Sequence, residues 1–283
     1  MPGTISVPRG DVKATLNFYG PPTDGSPPFH IYNEEMNSEF QHNYSHCPHD
    51  IIIHDVRDQD VEFTIDRDAF QIIEGVPPSK ETDFTDDESI QMNFYPEVKE
   101  LVSAHIPGID YIFIYNHTIR SQVPGAAYRP LTRVHNDHTP KSIVQRVREY
   151  LPTEADELLR HRYRTVNVWC PLNKNPVEEC PLAFCSAATV ADEDSVTVER
   201  RGEDGRFIRE VALIKYNPNQ KWYYLSGITN NDRVIMECFD SESLKQSSGI
   251  RGICPHAAFN DPRTREDAEK RVSIEVRCLL FSK

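Results

Sequence analysis

Arg271-Val272-Ser273-Ile274-Glu275-Val276-Arg277-Cys278-Leu279-Leu280-Phe281 alternates polar and apolar residues over its first eight positions. That is the period of a β-strand with two unlike faces. Arg271, Ser273, Glu275 and Arg277 share one face; Val272, Ile274, Val276 and Cys278 share the other. A guanidinium turned into a protein is costly unless it meets an anion, and a dicarboxylate can supply one bidentately.

Strand signals dominate the chain upstream of this segment as far back as Tyr163. Thr165-Val166-Asn167-Val168-Trp169 alternates, Leu182-Ala183-Phe184-Cys185 is apolar, and Val211 to Tyr216 is rich in β-formers. Trp222 to Leu225 and Arg233 to Phe239 read as strands paired with each other across Gly227 to Asp232, while the charged run Asp192 to Asp204 reads as exposed. Helical patterns fall in the first half. Asp86-Asp87-Glu88 makes an acidic first turn for a helix running through Val98 and Val102 to His105, and Thr139-Pro140 caps a second with Ile143, Val144, Val147 and Leu151 on one side. A short helix is expected over Glu154 to His161, a core strand over Tyr111 to Asn116, and a hairpin from Ile51–Val56 and Val61–Ile65. Met1 to Asn43 is punctuated by Pro8, Gly10, Gly20, Pro21, Pro22, Gly25, Pro27 and Pro28, and reads as an extended arm wrapping the body. Short strands with a few helices predict a mainly β, double-sheet barrel buttressed by helices.

The 283 residues are read as one domain, 1–283, with 1–43 as the arm. Lys and Arg number 31 against 44 Asp and Glu, a net charge of −13, which argues against a phosphate-tracking, nucleic-acid-binding surface. No apolar stretch approaches the roughly 20 residues that span a bilayer, and no signal-peptide pattern opens the chain, so the expectation is a cytoplasmic protein. Seven cysteines with no secretion signal read as small buried hydrophobes, not a disulfide scaffold. The arm could reach a neighbouring copy in a homodimer.

The chemistry concentrates in Val134-His135-Asn136-Asp137-His138-Thr139. On a strand His135 and Asp137 aim an imidazole nitrogen and a carboxylate oxygen at one point, and His256, the one histidine after His161, offers a third ligand. Two histidines and a carboxylate on one face of a metal, with the remaining positions open, suit non-haem Fe(II) oxygenases. A strand histidine is more often a packed residue, so the triad is also open to two other readings. One is a Zn(II) hydrolase, which would need a general base; the other is a non-enzymatic metabolite-binding barrel. His138 would point away from Asp137 on a continuing strand, and a helix start would bring it back to the site. His42, His46, Cys47 and His49 form a second cluster of ligand types without a matching half.

The chain resembles the fungal and bacterial 2-oxoglutarate-type oxygenases that include gibberellin desaturases, a meroterpenoid endoperoxygenase and the cephamycin methoxylation protein. The resemblance runs from about Asn17 to Phe281, through Phe63-Thr64-Ile65-Asp66, Tyr95-Pro96-Glu97-Val98, His117-Thr118-Ile119-Arg120, the His135 block and Val166-Asn167-Val168-Trp169-Cys170-Pro171-Leu172. It continues through Cys238-Phe239-Asp240-Ser241, Pro255-His256-Ala257-Ala258-Phe259 and the Arg271 strand. It implies a double-stranded β-helix (jelly roll) with His135, Asp137 and His256 as iron ligands. It also implies 2-oxoglutarate and O2 as cosubstrates, with a small natural-product intermediate hydroxylated, desaturated, cyclised or endoperoxidised. A late-strand arginine would hold the cosubstrate: Arg271 with Ser273 matches an Arg-x-Ser pair, whereas Arg277 lies deeper in the apolar run and is slightly preferred. Asn167 and Tyr115 are further cofactor contacts, and Asn116, Arg120, His138, Trp169 and Tyr224 are pocket candidates. Three positions depart from the pattern: Trp169-Cys170-Pro171 for Trp-Arg-Pro, Asp232-Arg233 for Asp-Glu, and Ser186 for an aspartate.

Overall fold

The computed structural model describes residues 6–33, 38–245 and 247–282. In chain order these form β1 (Val12–Gly20), β2 (Phe29–Asn33), β3 (Ser38–His42), β4 (Ser45–Asp55), α1 (Ile65–Asp68), β5 (Phe70–Ile73), α2 (Asp87–His105) and β6 (Tyr111–Ser121). Then come β7 (His135–Asn136), α3 (Pro140–Tyr150), α4 (Ala155–Leu158), β8 (Arg162–Pro171), β9 (Leu182–Cys185), β10 (Ser195–Arg201) and β11 (Phe207–Ile214). The chain ends with β12 (Trp222–Tyr224), β13 (Arg233–Asp240), β14 (His256–Ala258) and β15 (Val272–Ser282).

Two sheets face each other in a jelly roll. The larger runs β1-β4-β12-β9-β14-β7-β11-β10-β2-β3 and the smaller β5-β13-β8-β15-β6. Phe70, Trp169, Val234 and Met236 pack against Leu182, Phe184 and Tyr223 to close one end of the space between the sheets. Ile143, Val147 and Leu151 of α3 pack with Tyr115, Leu279 and Phe281 at the other. The middle is left to polar groups.

The alternation of β15 takes on an unusual meaning here, because both faces are buried. Ile274, Val276, Cys278 and Leu280 lie under α2, packed with Ile90, Phe94, Val98 and Val102. The face carrying Arg271, Ser273, Glu275 and Arg277 therefore turns into the barrel. The helices start where expected: the Asp86 carboxylate accepts from the Ser89 amide, and the Thr139 hydroxyl accepts from the Ser142 amide. Gly252 has φ +54°, and a Cβ there would lie 2.6 Å from the Asp240 backbone nitrogen. Only glycine lets the loop entering β14 pass that close to the end of β13.

Four expectations are corrected. Residues 1–43 are not free of long regular structure, because β1 is a nine-residue strand paired antiparallel with β4 from Val12↔Ile53 to Gly20↔Ser45. The prolines flank it, and Val12, Ala14, Leu16 and Phe18 alternate into the core. Val61–Ile65 is not a strand; Thr64 caps the short α1. β12 and β13 do not pair: β12 lies between β4 and β9, and β13 between β5 and β8. The turn between them is closed by the Asp232 carboxylate, which accepts from the Thr229 amide and hydroxyl and hands the chain from one sheet to the other. The charged run Asp192 to Asp204 holds β10, in which Val198 is fully buried.

Candidate metal centre and its cavity

β7 and β14 are adjacent antiparallel strands, and His135 stands directly opposite His256 across them. Their rings lie 4.4 Å apart, centroid to centroid. The His135 Nδ1 is 2.9 Å from the Arg133 carbonyl, and the His256 Nδ1 is 2.9 Å from the Cys254 carbonyl. A carbonyl oxygen only accepts, so each Nδ1 carries the proton and each Nε2 lone pair is left available, the arrangement that orients metal-binding histidines. Burial, and then the neighbouring His256, push the His135 imidazole below its ordinary pKa and favour this neutral form.

Asp137 follows β7 and completes the group. Its Oδ1 is 3.5 Å from the His135 Nε2, while its Oδ2 accepts from the Asn167 Nδ2 at 2.8 Å and the Arg277 Nε at 3.1 Å. Burial disfavours its charge, but Arg277 and the two histidines outweigh burial and hold the carboxyl well below the usual carboxylate range. One oxygen is thus tied down and the other faces the imidazoles. Ligand atoms of His135, Asp137 and His256 all lie within 4.8 Å of one another, and this is the one such metal-capable group among the described residues. The donor set and the hydrogen bonds behind it fit a divalent ion of the two-histidine, one-carboxylate type. His42, His46, Cys47 and His49 form no comparable group.

The two candidate arginines differ sharply. Arg277 sits opposite Asn167 across β15 and β8, and its donors are engaged: Nε with Asp137, Nη1 with the Thr118 hydroxyl at 2.9 Å and Nη2 with Glu275 at 2.7 Å. Arg271 is fully buried over the Trp169 ring and donates Nη1 to the Cys180 carbonyl, but its Nε has no partner among the described residues. The hydroxyl of Ser273, two residues along the same face, is likewise buried without one. Burial pushes the Arg271 guanidinium down to about 10. Arg271 lines a narrow cleft with His135, His256, Trp169, Glu275 and Arg120. At about 20 Å³ the cleft has room for a water molecule.

The cleft meets a larger cavity of about 500 Å³ at Arg120, Leu131 and His135. Asn116, Arg120 and His138 line it. The strand ends at Asn136, so His138 turns back; its Nε2 lies 2.9 Å from the Tyr115 hydroxyl. Burial, and then Arg146, keep its imidazole neutral, well below the ordinary pKa. Asn167 lies behind Asp137, and Tyr115 behind His138. Tyr224 is elsewhere, its hydroxyl donating to the Gly10 carbonyl and accepting from Arg263. The cavity also has residues that the sequence reading did not single out: Arg133 just before β7, Arg146 of α3, Arg200 of β10 and Arg209 of β11. The one local signal, Glu199-Arg200-Arg201 in a charged run, reads equally well as solvated surface.

A family model described as an oxidoreductase/YMDC permease-like domain matches residues 16–281. The chain is similar to the hydroxylase/desaturase PoxK of Penicillium oxalicum, with 35% identity over 82% of this chain and 79% of the relative. It is also similar to the alpha-ketoglutarate-dependent dioxygenase PhiK of Fungal sp., with 30% identity over 99% of each. The solved structure of the iron and alpha-ketoglutarate-dependent endoperoxidase NvfI superposes with a TM-score of 0.82 at 26% identity, covering 97% of this chain and 99% of that one. NvfI comes from Aspergillus novofumigatus.

Proposed function

The chain belongs to the oxidoreductase family that holds the fungal Fe(II)/2-oxoglutarate-dependent hydroxylase/desaturase and endoperoxidase enzymes, and from that premise we propose that it oxidises a C–H bond of a small metabolite at a centre formed by His135, Asp137 and His256. The observation that carries this is the convergence of two imidazoles, each with its Nδ1 proton given to a carbonyl, and one free carboxylate oxygen. Fe(II) bound there, with 2-oxoglutarate and O2, supplies oxidative decarboxylation to succinate and carbon dioxide and removal of hydrogen from the substrate.

The protein's own residues orient and enclose. Asn167 and Arg277 hold Asp137 so that Oδ1 stays turned toward His135. Arg271 and Ser273 hold the distal carboxylate of 2-oxoglutarate, because the Arg271 Nε and the Ser273 hydroxyl are unpartnered among the described residues, whereas each nitrogen of Arg277 already has a protein partner. At about 20 Å³ the cleft beside Arg271 is too small for a five-carbon diacid as it stands, so loading requires its lining side chains to move apart. Trp169 stacks on the Arg271 guanidinium and limits where it can point. His138, neutral and bonded to Tyr115, offers a polar edge to the substrate.

Zinc-type hydrolysis needs a general base beside the metal. Among the described residues lining the two spaces the carboxylates are Asp137, which belongs to the triad, and Glu275, whose two oxygens accept from Asn167 and Arg277. The deciding experiment is anaerobic titration of the full chain with Fe(II) and 2-oxoglutarate. A weak visible charge-transfer band that needs both additions, and that disappears in Asp137→Ala, is the expected result; metal binding indifferent to 2-oxoglutarate would exclude the proposal.

A further inference from the structure

In a protein of net charge −13, the larger cavity is lined by Arg120, Arg133, Arg146, Arg200, Arg209 and Arg277, among others, with Asp137 the one carboxylate among its described lining residues. Arg277 is neutralised by Asp137 and Glu275. Among the described residues, three of the others have no such counterpart. Arg146, on α3, lies with its guanidinium 4.8 Å from the Tyr115 ring centre, and its Nε is buried without a hydrogen-bond partner among the described residues. Arg209, on β11, has a buried Nε in the same condition. Arg200, on β10, lies over the Tyr32 ring and donates its Nε to His30 Nε2 at 3.2 Å. Rings and an imidazole orient these guanidiniums without neutralising them.

Burial, followed by repulsion from Arg146 and Arg200, lowers the Arg209 pKa, with Glu149 and Tyr150 opposing. Burial is also the main cause at Arg200, where Tyr32 opposes and Arg146 adds repulsion. α3, β10, β11 and the segment leading into β7 thus deliver like charges to one half-buried wall, an arrangement that costs stability in the protein alone and is relieved when an anion enters. Guanidinium forks match planar carboxylates bidentately, and the volume of about 500 Å³ is that of a small-molecule site.

We propose that the substrate of this cavity is an organic polycarboxylate, its acid groups held by Arg146, Arg200 and Arg209 with Arg133 alongside, and its reacting carbon presented to the centre at His135 and Asp137. The placement of that carbon rests on the function proposed above; the recognition of the anion does not. Arg120 marks the divide. It lines both spaces, so the cosubstrate diacid belongs to the Arg271 side and the substrate acid to the Arg146 side.

The test loads the full chain with Mn(II) and 2-oxoglutarate under argon, then titrates it calorimetrically with benzene-1,3,5-tricarboxylate and with the neutral benzene-1,3,5-tricarboxamide. The tricarboxylate is expected to bind at least tenfold tighter than the triamide, and more weakly as salt is raised. Arg146→Gln and Arg209→Gln should each weaken it at least tenfold, with Arg209→Lys in between. Because each glutamine relieves like-charge repulsion, neither variant should melt below the wild type. The proposal is overturned by equal binding of the triamide, by tricarboxylate binding that both glutamine variants leave unchanged, by inorganic phosphate displacing the tricarboxylate at equal concentration, or by glutamine variants that melt lower. Loss of 2-oxoglutarate-dependent Mn(II) binding, read by electron paramagnetic resonance, would instead strike the proposed metal centre and leave the anion result standing.

Discussion

Asp137 presents different atoms to different neighbours: Oδ2 is held by Asn167 and Arg277, and Oδ1 is turned toward His135. That division of labour makes its removal distinct from the removal of its supports. Replacing His135, Asp137 or His256 with alanine is expected to abolish succinate formation, with far-ultraviolet circular dichroism unchanged. Full turnover by any of the three would remove it from the centre. Arg271 and Arg277, two inward-facing arginines on one strand, separate kinetically. Arg271→Leu should raise the KM for 2-oxoglutarate by about 10–100-fold, the worth of one charge-assisted contact, with metal affinity retained. Arg277→Leu should instead weaken metal binding by about 10–100-fold, as loss of a group supporting a ligand does. The opposite assignment of effects would return the anchor to Arg277. At this scale the sequence showed which side chains could serve, but not which donors were already committed. Ser273 and Glu275 stand on the same face as both arginines, and only their partners tell them apart.

Among the elements, β15 and α2 are the pair on which the small sheet depends. Phe94 is fully buried between α2 and that sheet, and Phe94→Ala should cost about 3–5 kcal/mol in denaturant unfolding. A loss under about 1 kcal/mol would mean that α2 is not what covers Ile274 and Val276. β13 carries a second constraint. Glu237 is fully buried with its Oε1 at 2.5 Å from the Arg164 Nε, and burial raises its carboxyl to about 8 against the pull of Arg164, with Asp240 adding to the rise. A carboxyl raised on folding is one the fold prefers protonated. Its contribution is therefore complete below the ordinary value near 4.5 and is lost as pH climbs toward 8. Wild-type stability should decline over that window relative to Glu237→Gln; parallel profiles would show that Glu237 ionises without penalty. The strands, the helix caps and the α2 and α3 periodicities were legible because they are local. β1 is equally local but masked by its flanking prolines, whereas the split of β12 from β13 has no local signal: a seven-residue connection between two apolar runs looks like a hairpin until a second sheet competes for one of them.

For the molecule as a whole, a polar interior flanked by two apolar clusters predicts strong linkage between ligand binding and stability. Mn(II) at about a hundred times its dissociation constant should stabilise the fold by about 2.7 kcal/mol, and 2-oxoglutarate in the same excess by about as much again. A melting temperature unmoved by both together, and unmoved again by a chelator, would mean that no such site exists. The sequence by itself determined the strand-rich architecture, the starts of the two main helices, and the chemical inventory of two histidines, one aspartate and an Arg-x-Ser pair, because periodicity, capping and residue type are properties of neighbours along the chain. Only the tertiary structure decided that His135 and His256 face each other across β7 and β14, that the polar face of β15 points inward, and that arginines from four separate stretches of the chain crowd one wall. Those are contacts between segments far apart in sequence, and their register follows from how two whole sheets pack, which no single stretch encodes.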